Sequence, residues 1–439
     1  MSAFDQNYRT IAAYSNGLIA LRGAASSIVI LLSAACLLTI CFSLLLVAGD
    51  VSAAFNIAYK SSDAWPAVFS AVLFSLCAAA LSTRPFSFGY FVGFYMLAVS
   101  CGYVWLSYFT SLSYDHVAAR WSTVLSAASF FLTATLTFNR ASKSPSLSIA
   151  QMDLLVKCLL GLVIILATYG AITGLHFVGP FESEFIRPEL DHPRWMNYAI
   201  SISLSSLIPF SFAWLTQRRA YWAAALCIVI ALSFYPIAVS KTALIAPFWL
   251  VFVFVLARIA EPRLVTILSL LLPLLVGLAA LLIDPSRPEL MFRVINFRML
   301  AIPSSGLDHY YHYFLSHPVT HFCQISLIGK LFSCAPPDQL GVLLAREYSL
   351  GNYNASLLAT EGVASVGVYL APLAAGLCGL FISFGNFCSA GMAPSFVLLS
   401  SSVLVVMIMN VPLSVAMASH GGIILFGLWL ITPRAIDAR

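Results

Sequence analysis

The sequence predicts an all-α, polytopic membrane protein of about twelve transmembrane helices with one large, structured outer loop. Three observations carry this. Of the 439 residues, 61% are hydrophobic and 9% are charged, against roughly 25% charged in an ordinary soluble domain. Apolar runs of about 18 residues or more, the length that crosses a bilayer, recur from residue 25 to residue 432 with no soluble domain between them. Polar residues gather in two segments, 177–196 and 284–362. The chain is therefore expected to be a single integral membrane domain, 1–439, with 284–362 as a large loop inside it.

Before the first apolar run the only positive charges are Arg9 and Arg22, and the run itself, 25–48, is too long for the core of a cleaved signal peptide. It is expected to stay as an anchor. The remaining spans are 66–82, 86–108, 122–138, 154–176, 197–215, 220–239, 242–258, 264–283, 363–384, 393–410 and 413–432. With the N-terminus inside, Arg84, Arg140, Lys143, Arg218, Arg219, Arg258, Arg263, Arg434 and Arg439 all fall on the cytoplasmic side. Inner segments then hold 12 of the 22 Lys and Arg but only 4 of the 17 Asp and Glu, and outer ones hold 10 and 13. That asymmetry is the positive-inside pattern, and the inverted topology would reverse it. An even span count puts both termini in the cytoplasm.

Seven cysteines, Cys36, Cys41, Cys77, Cys101, Cys158, Cys227 and Cys378, lie in apolar runs, where cysteine behaves as a small hydrophobe; Cys388 follows just beyond one. Cys323 and Cys334 lie in the long loop and could pair if it faces an oxidising compartment. In that loop, Pro288 and Glu289 suit the first turn of a helix running to about Leu300, with Pro303 and Gly306 expected to stop it. The aromatic stretch Asp308–Phe314 should pack on the membrane surface.

Apart from His176 and Arg258 at span ends, the predicted spans contain almost no strongly ionisable residue beyond Lys157 and His420. Ion-coupled transporters keep such groups in the membrane interior, so this pattern argues against that class. All eight histidines fall on the outer side. So do Arg187, Arg194, Lys241, Arg287, Arg293, Arg298, Lys330 and Arg346. Arginine's planar fork matches phosphate oxygens, and a cluster drawn from separate segments can hold a diphosphate without a metal or other cofactor. The alternative is pairing with Glu182, Glu184, Glu189, Asp191 and Glu289, or with lipid head groups. His309 and His312, with His317 and His321 nearby, could form a zinc site, but ligands at fixed spacing are missing. A net charge of +5 gives no reason to expect a nucleic-acid partner.

Val239–Leu244, Phe297–Pro303 and the pair Leu350–Ala355 with Thr360–Gly367 are three motifs that resemble the bacterial O-antigen polymerase and O-antigen ligase superfamily of membrane glycosyltransferases. Val239-Ser240-Lys241-Thr242-Ala243-Leu244 is similar to that family's Ser-Arg-(Gly/Thr)-Ala-Leu motif, with lysine in place of arginine. Phe297-Arg298-Met299-Leu300-Ala301-Ile302-Pro303, followed by Tyr310, Tyr311, Phe314 and Pro318, resembles the outer-loop signature of repeat-unit polymerases. Leu350-Gly351-Asn352-Tyr353-Asn354-Ala355 and Thr360-Glu361-Gly362-Val363-Ala364-Ser365-Val366-Gly367 form the third and most specific. The ligase branch has a histidine where Tyr353 stands, which favours the polymerase branch.

The resemblance implies an inner-membrane enzyme joining undecaprenyl-diphosphate-linked oligosaccharides at the periplasmic face, with membrane lipids and a chain-length regulator protein as partners. It implies Arg298, Lys241 and Arg194 on the leaving diphosphate, with Arg187 and Arg293 in reserve. Candidates to orient or deprotonate the acceptor hydroxyl are Glu361, His317, His321 and His192. Tyr310 would stack on sugar, and Asn352 and Asn354 would bind substrate. A ligase, and a transporter or flippase of lipid-linked or small polar solutes, are the alternatives.

Overall fold

The computed structural model describes residues 26–47, 56–137, 146–179, 193–283, 292–334, 338–350 and 355–434, and the side chains of residues 293 and 294 lie outside that description. Among the described residues the fold is all-helical, without a strand. Nine helices among the described residues are long and apolar enough to cross a membrane. They are α1 (Ser26–Val47), α2 (Ser61–Leu81), α3 (Phe88–Leu106), α5 (Ile149–Thr173), α6 (Arg194–Gln217), α7 (Tyr221–Ala238), α8 (Lys241–Ile259), α9 (Pro262–Ile283) and α13 (Leu358–Ser389). Each coincides with a predicted span. The other three predicted spans are helical too: α4 (His116–Ala134) carries Arg120 in its second turn, α14 (Pro394–Ile408) is short, and the last splits into α15 (Leu413–Ala418) and α16 (Gly422–Ile431).

Helix α3 is the central post. It is apolar all round and buried at every residue, the pattern of a helix enclosed by others. Ser87 caps its start by accepting from the Tyr90 N–H, and Asp115 caps α4 by accepting from Val117 and Ala118. Helices α4 and α13 pack along their length and run parallel, Ser122 bonding Val368 O while Asn386, further along α13, bonds Ala134 O and Leu136 O at the far end of α4. Gly379 makes this approach possible, since a Cβ there would sit 2.6 Å from Phe130 O.

The loop departs from expectation at one place. Pro303 and Gly306 do not end a helix: a π-wound turn, Arg293–Ala301, runs straight into α10 (Ile302–Ser316), with Pro303 in its first turn. Proline lacks an N–H and crowds the preceding turn, and widening that turn just before it accommodates both. Nor does the aromatic stretch lie on the surface, because Asp308, His309, Tyr310, Tyr311 and Phe314 are buried against the body of the protein. Two short helices follow, α11 (Ser326–Leu331) and α12 (Leu340–Glu347). Cys323 and Cys334 are joined by a disulfide with Cα atoms 5.9 Å apart, whereas Cys41 and Cys101 are free thiols in contact.

Candidate functional site

The third motif is the part of the loop that the fold draws deepest into the bundle. Residues 355–364 are buried throughout, and the π-wound start of α13, Leu358–Ala364, packs on α10, α4 and the remainder of α13. At Gly367 (φ 78°, ψ 172°) the chain reverses, a conformation glycine adopts without a Cβ penalty. Gly362 then lies against Ala371 of the returning limb. The segment is a re-entrant helical hairpin, and it carries Glu361 inside.

Glu361 is 4% exposed. Its Oε2 accepts from Thr360 Oγ1 at 2.5 Å, and its Oε1 accepts from the Ser414 N–H at 3.0 Å and Ser414 Oγ at 2.9 Å. All three described donors are uncharged. A buried carboxylate is costly unless hydrogen-bonded, and about four acceptor positions are available on one, so one position remains for a further donor. Ser414 sits on α15, whose far end leads to His420. The His420 Nδ1 is 3.4 Å from Ser205 Oγ, and its carbonyl accepts from Ser206 Oγ at 2.8 Å. Ser414 and His420 are both half-buried, so the carboxylate's surroundings reach accessible surface on that side.

Three interrupted helices meet here: the hairpin of α13, the break between α14 and α16, and a π-wound stretch, Ser203–Leu207, within α6. Such irregular winding is frequent at functional sites. Glu361 itself stands just before the predicted span 363–384 and is nonetheless buried among these helices.

A second polar cluster surrounds Asp308, which is 1% exposed. Its carboxylate accepts from Thr110 Oγ1 at 2.7 Å and from the Tyr114 hydroxyl, which in turn lies 3.1 Å from the Tyr103 hydroxyl. Burial pushes Asp308 up to about 6, with the Tyr114 and Thr110 bonds opposing the shift. Burial lowers His309 to about 4, so the ring is neutral and donates from Nδ1 to the Ser305 carbonyl at 2.8 Å. The His312 Nδ1 instead meets the Tyr348 hydroxyl at 2.6 Å. Among the described residues no group of three or more His, Cys, Asp or Glu is placed to hold a metal.

The expected cations occupy three elements. Arg298 is exposed on the turn that leads into α10, and α10 packs on the helix of Glu361. Lys241 opens α8 behind Ser240, whose side chain caps the helix by accepting from Ala243 N, and behind Val239, which is left-handed at φ 45°. A β-branched residue in that region costs on the order of 1–3 kcal/mol, so the Val239-Ser240-Lys241 turn is held by its surroundings. Arg194 is exposed at the start of α6. The segments of Lys241 and Arg194 both adjoin the same end of α5, through Pro236 O accepting from His176 N and through Trp195 stacking near Tyr169.

Other expected residues are placed differently. His317 is exposed and stacks on Tyr313 at 3.9 Å, and the exposed His321 uses its backbone N–H to bond Ser365 O. Tyr310 is fully buried against Phe314, a core position with no face for a sugar. Arg187, His192, Asn352, Asn354 and the Arg293 side chain lie outside the described residues. Sequence reading missed Ser414, which carries no local signal, and Asp308, whose signal was a lone acid in an aromatic run. Compared with protein-family models, with curated proteins and with solved structures, the chain shows no match.

Proposed function

We propose that this chain is a polytopic membrane glycosyltransferase that polymerises oligosaccharide repeat units carried on undecaprenyl diphosphate. The observation that carries this is Glu361: a buried carboxylate from the most specific motif, held by uncharged donors with an acceptor position to spare. In this reading the sugar hydroxyl of one lipid-linked unit occupies that position, and Glu361 orients it and takes its proton. The hydroxyl oxygen bonds to the anomeric carbon of the other unit as the bond from that carbon to the diphosphate breaks. Arg298, Lys241 and Arg194 stabilise the negative charge that develops on the departing diphosphate.

Twelve crossings with both termini cytoplasmic, a periplasmic 284–362 loop and an inner-membrane location belong to the same proposal. Support comes from the charge asymmetry and from the parallel course of α4 and α13, since five apolar helices of crossing length lie between them in the chain and an odd number demands it. The test is deletion in the cell. The reading expects cells carrying single repeat units, with the N-terminal and C-terminal tags cytoplasmic and a cysteine at Asp338 reached by an impermeant label from outside. Glycan missing from its final acceptor would mean a ligase instead.

One observation favours a second reading. Helices broken near a buried carboxylate are also the architecture of secondary transporters, and for that class deletion would leave a transport defect with normal polymer.

A further inference from the structure

The carbonyls that end the Glu361 helix are capped by a distant stretch of the loop. The last turn of any helix leaves carbonyls unpaired. Here Ala364 O accepts from Thr320 N at 2.8 Å and Ser365 O from His321 N at 3.0 Å. The Gln324 amide donates to Ser365 Oγ at 2.7 Å and to Thr360 O at 3.4 Å, while Thr320 Oγ1 fixes that amide by donating to its oxygen at 2.5 Å. Thr360 is the residue whose hydroxyl bonds Glu361. The loop that delivers these donors turns through two consecutive left-handed residues, His321 (φ 49°) and Phe322 (φ 63°). Neither is glycine, so the turn must be held from outside. The Cys323–Cys334 disulfide follows at once, closing the loop around Gly329, where a Cβ would meet Cys323 O at 2.9 Å.

We propose that residues 320–334 form a disulfide-held clamp on the re-entrant helix, and that Gln324 is a positioning residue for the Glu361 carboxylate. The inference rests on the role given to Glu361 above. The clamp spans two parts of the loop that share no local sequence signal, and it makes the position of Glu361 depend on an oxidised pair of cysteines.

The test uses the full-length protein in lipid nanodiscs and the variants Gln324→Met, which keeps side-chain length without donors, and Cys323→Ser/Cys334→Ser. Hydrogen exchange at residues 358–366 needs no substrate, and both variants should exchange there about tenfold faster than the parent, with α3 unchanged. With lipid-diphosphate-linked repeat units, Gln324→Met should lose about tenfold or more in kcat at a KM within twofold, because a misplaced orienting group affects turnover before binding. Unchanged exchange at 358–366 overturns the clamp. Faster exchange with an unchanged kcat overturns the positioning role. A parent protein that makes no polymer, yet shows the exchange difference, overturns the polymerase reading and leaves the clamp standing.

Discussion

Replacing Glu361 by glutamine separates the carboxylate's chemistry from its structural role. The structure sets the cost. With its carbonyl oxygen at the Oε1 position, glutamine keeps both bonds from Ser414, and its amide then faces Thr360 Oγ1, whose proton can turn to Ser356 O at 3.1 Å. One amide hydrogen bonds Thr360 Oγ1 and the other points to the position left open beside the carboxylate, so the main penalty is the difference between bonds to a charged and to a neutral acceptor, about 1 kcal/mol each for the two Ser414 bonds. Relief from burying the charge offsets part of this. The protein should stay folded, with stability changed by about 2 kcal/mol or less. Turnover should fall by about 10²–10⁴-fold, the usual contribution of a positioned acid or base. The assay is glycan length in a strain complemented with the variant, beside thermal unfolding of the purified protein. Polymerisation by Glu361→Gln within threefold of the parent, at matched expression, would refute the assignment.

Further outcomes are expected elsewhere. Asp308 has its folded value raised above the ordinary 3.8 to about 6, so the folded state binds the extra proton and this group's contribution to stability declines as pH rises from about 4 to 6; unfolding of Asp308→Asn should show a shallower decline over that window. Arg298→Ala should abolish polymer, roughly a hundred- to thousandfold loss, Arg298→Lys should recover part of it, Lys241→Ala should match Arg298→Ala, and Lys241→Arg should be tolerated. Arg346 serves as the control, since its pair with Asp338 at 2.7 Å is exposed on both sides and contributes under about 1 kcal/mol. Gly379→Ala must push α4 and α13 apart at Phe130 O and should cost about 1–3 kcal/mol in unfolding measurements without changing the glycan linkage.

Helices of crossing length were legible wherever the apolar run is continuous, because a segment suited to hydrocarbon must pair its whole backbone internally and be long enough to span it. The reading was weakest where a helix is interrupted. Residues 413–432 look like one span, yet Gly421 (φ 78°) splits them, since a Cβ there would meet Ser206 Oγ at 2.9 Å. Pro303 looked like a stop, and a π-wound turn carried the helix through it.

The sequence by itself determined the all-helical class, the position of the helices long and apolar enough to cross a membrane and the two segments in which polar residues are concentrated, all of which follow from local composition. Only the tertiary structure decided which polar residue lies inside. Glu361 stands two residues before its predicted span, and nothing local says that a reversal at Gly367 folds it back among the helices. Its partner Ser414 is 53 positions away, and the clamp residue Gln324 bonds a carbonyl 36 positions away. A carboxylate's environment is set by whichever donors the packed helices bring to it, and such long-range pairs leave no periodicity in the chain to read.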